Sequence, residues 1–203
     1  MAKKKDLKQL FETDDWIPEC QYGDFSGANL SGRDMTYCNL YKANFFNANL
    51  SYADLKMAIL SGANLNRAKL LGANLSTAEI DSAKLKSADL TNAKLKSVDL
   101  ENADLTNATL IDAKLKWAEL NKANLTNANL TGASLKEAEL NKANLTNATL
   151  IDAKLKRAEL NKANLTNADL TGADLTGAKL CNTVMPDGQR IFQDCSRDID
   201  KDE

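Results

Sequence analysis

From Phe25 to Leu180 every fifth residue is Leu, Phe, Met or Ile, 32 in succession. Two places before each stands a small residue, almost always Ala; the departures are Gly23, Arg33, Cys38 and Val98. The other three positions of each five are mostly Asn, Asp, Thr, Ser, Lys, Glu or Gly. Neither regular element has this period, because a helix repeats every 3.6 residues and a strand every 2. Leu, Ala and Lys favour helix, but Asn, Asp, Thr, Ser and Gly recur too often for one. The pattern predicts a square coil. Each pentapeptide supplies one side and one corner, with Leu inward from the side and Ala inward near the corner. Four pentapeptides make a coil of 20 residues, and coils stack like parallel strands about 4.8 Å apart. Residues 21–180 then give eight coils, a rod about 38 Å tall on that spacing.

A duplication supports the period of 20. Residues 106–128 and 146–168 are identical except for Trp117 against Arg157, at an offset of 40. Whole-coil duplication keeps every face in register, which offsets of 25 or 35 would not. Arg33 does not fit a closed corner, so the first coil is expected to be irregular or covered. Asn124, Asn144 and Asn164 should stack in one column and bond to corner backbone and to each other.

The ends read as caps, since an open stack exposes unpaired backbone and apolar core. Leu7, Leu10 and Phe11 give one face of a short helix, stopped by Trp16, Ile17 and Pro18. Val184–Gly188 reads as a last side and a tight turn, with Arg190–Gln193 as a covering strand. The expected division is a helical cap over 1–20, the repeat over 21–185, and a cap with polar tail over 186–203.

The runs Ala123-Asn124-Leu125-Thr126-Asn127, Ala63-Asn64-Leu65 and Ala173-Asp174-Leu175 resemble the A(D/N)LXX signature of pentapeptide-repeat proteins, over residues 21–185. The Met-Pro-Asp-Gly end is similar to the tails of cyanobacterial members. The resemblance implies an all-β fold, a right-handed quadrilateral parallel β-helix or solenoid of about eight coils with terminal caps. It also implies a possible role: some bacterial members mimic duplex DNA and bind DNA gyrase, which calls for a strongly negative surface.

Charge argues against that role here. Net charge is −2 with no His, and residues 21–180 carry 19 basic and 17 acidic side chains. One face is basic, through Lys94, Lys96, Lys114, Lys116, Lys136, Lys154, Lys156 and Arg157 against Glu137. The next carries Glu79, Asp99, Glu119, Glu139 and Glu159, with Lys122, Lys142 and Lys162 beyond. Few aromatics accompany the basic face, so nucleic acid is not the expected partner.

A protein-contact surface is expected near the N-terminal end, at Tyr37, Tyr41, Phe46, Tyr52, Met57 and Ile59, because outward positions elsewhere are small or charged. The partner is unidentified, and a second copy is one candidate. A fold-back of the N-terminal cap over this patch is the competing reading. No cleft, catalytic array, cofactor site or metal site is expected, and the chain reads as a non-enzyme. Cys20, Cys38, Cys181 and Cys195 have no metal spacing. Plain thiols are expected, although Cys181 and Cys195 flank one turn-rich segment. No apolar run suits a signal or membrane span, which points to a cytoplasmic protein.

Overall fold

The computed structural model describes residues 20–193 and 195. Its principle is visible in one pentapeptide, 124–128. Asn124 N donates back to Ala103 O at 2.9 Å, and Leu125 N donates forward to Asn144 O at 2.7 Å. Thr126 N donates to the Asn124 Oδ1 at 3.2 Å. Asn127 N donates forward to Thr146 O at 3.0 Å, and Ala128 N closes a turn on Leu125 O at 3.0 Å. All five amides thus find acceptors, which buried backbone requires. Asn or Asp before the apolar residue is the sequence solution for the one amide that no carbonyl reaches.

Single-residue parallel bridges join each tier to the next at an offset of twenty, from Asp24 with Asn44 to Asn164 with Val184. The inward residues form one apolar column. Leu and Ala from Ala28 to Ala168 are buried, with Met35, Cys38, Phe45, Ile80 and Val98 in the same column. Phe25 and Phe45 stack with centroids 5.1 Å apart. Burying each Leu contributes about 1.5–3 kcal/mol, yet one tier must order twenty residues at about 1–2 kcal/mol each. Tiers are therefore stable only as neighbours.

The expectation of an extended, closed quadrilateral β-helix or solenoid of about eight coils is corrected. Among the described residues there are only two strands, β1 (Leu180–Val184) and β2 (Arg190–Gln193), and no helix. They form an open two-stranded antiparallel sheet, with Leu180 opposite Gln193, Val184 opposite Arg190, and a register shift between Cys181 and Thr183. The reason lies in the backbone of the repeat. The second residue after each apolar centre has positive φ, as at Asn127 (57°), Lys122 (58°) and Trp117 (62°). A left-handed residue every fifth position turns the chain before a run of extended residues can form. Pairing is thereby cut to one bridge per pentapeptide. The expected N-terminal helix lies outside the described residues, apart from Cys20.

At the C-terminal end Gly188 N donates to Met185 O at 2.9 Å, closing the turn into β2. Thr183 is fully buried and its hydroxyl donates to Leu160 O at 2.7 Å. Cys181 and Cys195 are joined by a disulfide, with Cα atoms 4.8 Å apart. The plain-thiol expectation is overturned for this pair, because the chain returns along β2 to the start of β1. Cys20 and Cys38 are buried and outside this disulfide. Leu170, Ala173 and Leu175 are only half-buried against the core.

Candidate functional site

With Leu and Ala consumed by the core, any contact chemistry falls to three outward columns per pentapeptide. The predicted patch divides among them. Tyr37 and Met57 share one left-handed column, one tier apart, and both are exposed. Ile59 is half-buried and bridges Asn39. The Tyr41 ring meets Tyr22 edge-on at 5.7 Å, and the Lys42 ammonium lies 5.0 Å from its centroid. Phe46 and Tyr52 stand on the other two pentapeptides of their tier. Arg67 caps the Phe46 ring at 5.9 Å. These two line, with Asn66, Lys86, Ser87 and Asn107, a groove of about 360 Å³. The Tyr52 ring covers Gly72, where a Cβ would stand 2.7 Å from it.

The basic face is assembled in two columns. Lys94 bridges Lys114, and Ser134 bridges Lys154. Lys96, Lys116, Lys136 and Lys156 run beside them at the same offset of twenty. Trp117 stands at their edge, with Lys116 Nζ 3.8 Å and Lys96 Nζ 4.8 Å from its ring. Its indole N–H donates to Glu137 Oε2 at 3.1 Å. That bond, with the charges of Lys116 and Arg157, holds the Glu137 carboxyl below its ordinary range.

In the acidic stripe Glu79, Asp99, Glu119, Glu139 and Glu159 bridge one another in order. Burial, and then the charges of Asp99, Glu139 and Glu101, push the Glu119 carboxyl up. Its neighbours are relieved locally. Lys122 meets Glu101 at 2.9 Å and Lys179 meets Glu159 at 2.6 Å, and the Asn121 amide donates to Glu139 at 2.8 Å. The expected Asn column is present, but linked through hydroxyls: Asn144 Nδ2 donates to Thr126 Oγ1 at 3.0 Å, and Thr126 Oγ1 donates to Asn124 Oδ1 at 2.6 Å.

The family of pentapeptide repeats matches in eight copies between residues 24 and 185. The chain belongs to the pentapeptide-repeat family. Among solved structures it is similar to HetL, a pentapeptide-repeat protein involved in heterocyst differentiation regulation from the cyanobacterium Nostoc sp. strain PCC 7120. The identity is 30% over 94% of this chain and all of HetL, with a TM-score of 0.46. It is similar to full-length QnrB1, a plasmid-mediated fluoroquinolone resistance protein, at 24% identity over 78% of this chain and 80% of that one, TM-score 0.67. It is also similar to alr5209, another Nostoc pentapeptide-repeat protein, at 34% identity over 48% of this chain and 77% of that one, TM-score 0.28. No curated protein matched the chain.

Within this pentapeptide repeat, sequence reasoning passed over Tyr22, which is exposed and extends the Tyr41 cluster. The signal was available, because residue 22 lies one period of twenty before Lys42, at an outward position of the repeat. Arg33, at an inward Ala position, is exposed. Cys38 at the next such position is buried, which pushes its thiol up to about 12. Among the described residues no group of His, Cys, Asp or Glu could hold a metal ion, and no helix is long and apolar enough to cross a membrane.

Proposed function

We propose that this pentapeptide-repeat chain is a non-catalytic module that acts by binding another protein. The carrying observation is that the first two tiers spend outward positions on Tyr37, Phe46 and Met57, all exposed, and on a half-buried Tyr41. Rigid aromatics cost little conformational entropy when ordered, which suits a contact surface. The test replaces Tyr41, Phe46 and Tyr52 together by Ser. Partner capture should be lost while the monomer's melting temperature stays near that of the parent. A marked fall in melting temperature with capture unchanged would reassign these rings to stability.

A second reading, a DNA-mimicking regulator of DNA gyrase or another DNA-binding protein, is favoured by the acidic stripe. Five carboxylates bridged in sequence, with Asp81 and Glu101 beside them, present anionic charge at regular spacing. Regulation and drug resistance, the roles named for HetL and QnrB1, lie nearer to this reading than to a passive structural rod. The opposing magnitude is charge density. A tier rises about 4.8 Å, whereas duplex DNA carries one charge per about 1.7 Å. A gyrase supercoiling assay over a protein concentration series decides it. Inhibition by the parent that disappears on Glu119→Lys with Glu139→Lys supports mimicry, and no inhibition at any concentration removes it.

A further inference from the structure

The basic and acidic stripes share the same tiers and lie next to one another, Glu119 three residues beyond Lys116 and Glu139 three beyond Lys136. The chain makes little use of one against the other. Ion pairs join Lys86 to Asp104, Lys116 to Glu137, Lys122 to Glu101 and Lys179 to Glu159. None of these four joins the basic face to the acidic stripe. Lys94, Lys114 and Lys154 stand exposed in their column, and so do Lys96 and Lys156 in theirs. Lys116 and Glu159 have partners of their own, but these do not join the two stripes, which stand in equal register with opposite sign and so form a self-complementary surface.

We propose that a second copy of this chain covers them. Two copies lie side by side and point the same way, about a two-fold axis parallel to the stacking direction. Such an axis exchanges left and right but keeps every tier at its own height. The basic stripe of each copy therefore meets the acidic stripe of the other. An axis across the stack would set basic on basic and acidic on acidic, so charge selects the parallel pair. The column between the stripes, with Trp117, Glu137 and Arg157, then lies along the axis. Trp117 is 42% exposed there and supplies an apolar contact. Arg157 of one copy stands one tier from Glu137 of the other. The contact is isologous, as closed dimers require. Burial first, and then the like charges of Asp99, Glu139 and Glu101, raise the Glu119 carboxyl.

The proposal stands apart from both functional readings, because its tests contain no other partner. Exposed ion pairs are individually weak and screened by salt. Sedimentation equilibrium of the full chain should show dimer at low salt and high protein concentration, and monomer near 1 M salt, where the screening length is about 3 Å. A decisive test uses two charge-reversed proteins. Lys114→Glu with Lys116→Glu sets carboxylates against the acidic stripe at one middle tier, and Glu119→Lys with Glu139→Lys sets cations against the basic stripe at two. Each alone should be monomeric, while their 1:1 mixture should form a heterodimer tighter than the parent pair. Orientation is read by Arg157→Cys, which should cross-link to itself across the axis under oxidation while Asn107→Cys should not. Should a reversed variant misfold, the neutral pair Lys114→Gln and Lys116→Gln must still weaken the parent dimer. A parent chain monomeric at every salt and concentration, or a mixture without heterodimer, overturns the proposal.

Discussion

The duplicated segments, 106–128 and 146–168, and the first two tiers share one backbone and differ in what they show to solvent. Leu125 N donates to Asn144 O at 2.7 Å, and Phe45 N donates to Asn64 O at the same distance. The left-handed residues Asn127 and Asn47 have φ of 57° and 55°. Outside that common frame the duplicated segments carry amide and hydroxyl ladders, such as Asn147 Nδ2 to Asn127 Oδ1 at 3.2 Å. The first tiers carry Tyr22, Phe46, Tyr52 and Met57, all exposed. The frame is thus indifferent to its outward residues, and the chain can vary its surface without disturbing its core. Stability and recognition are written in separate columns of the sequence.

The largest expected effect breaks the frame. Leu125→Asp places a charge in a fully buried column, and even Leu125→Ala costs about 2–5 kcal/mol. We expect the Asp variant to lose cooperative unfolding. Leu175→Asp sits at a half-buried site and should fold with a lowered melting temperature. Thermal denaturation by circular dichroism compares the two. Equal damage at both sites would mean that the last tier is covered as well as the middle ones.

Next in size is the C-terminal pair. Cys181 and Cys195 are fourteen residues apart, and closing a loop of that length contributes about 3 kcal/mol in the chain-entropy account. Reduction, or Cys195→Ser, should lower the melting temperature and free β2. The tiers around Leu125 should keep their amide protection, read by hydrogen exchange. Loss of protection there would show that the end controls the whole stack.

Part of this was open to reading in advance, and part was closed for physical reasons. The inward set was legible because burial tolerates only Leu-like and Ala-like residues at fixed spacing. The left-handed corner was not, because Asn127, Lys122, Thr77 and Trp117 all occupy it and no residue type marks it. A corner was expected in each pentapeptide, but not its left-handed residue, which leaves single bridges where strand-like sides were expected. The Cys181–Cys195 bond was hidden because spacing does not reveal that two strands return on each other. The six patch residues were identified as outward, yet their distribution over several sides of the tier depends on the period of twenty, which separates Phe46 and Tyr52 from Tyr37.

A smaller effect tests the amide accounting. Asn124→Ala leaves the Thr126 N–H without its Oδ1 acceptor and removes the partner of the Thr126 hydroxyl. The expected cost is about 1 kcal/mol, the net value of a typical hydrogen bond. Asn124→Asp keeps the acceptor and should recover most of the loss. If Asp recovers nothing, the amide N–H of Asn124 toward Thr106 Oγ1 at 3.0 Å is the bond that matters.

The smallest expected effect lies in the acidic stripe. Burial raises the Glu119 carboxyl above its ordinary range, and Asp99, Glu139 and Glu101 add to the rise. A carboxyl whose folded-state pKa is raised favours the folded state when protonated. Its stabilising share is therefore complete at low pH and lost as pH climbs through the unfolded value to the folded one. At neutral pH the ionised Glu119 opposes folding, so Glu119→Gln should raise the melting temperature slightly there. The gain should vanish in acid, where Glu119 of the parent is itself neutral. Asp169 and Asp174 run the other way, because the Thr171 and Thr176 hydroxyls and amides hold their carboxyls down. Their contribution is present at neutral pH and lost as pH falls through their depressed values, in parent and variant alike. The difference between Glu119→Gln and parent across a pH series of thermal melts therefore isolates the stripe. A difference that does not change with pH would assign the Gln effect to packing and leave Glu119 without electrostatic strain. Repeating the series in high salt sharpens it further, since screening should shrink the gain if like-charge repulsion is its source and leave it intact if burial dominates.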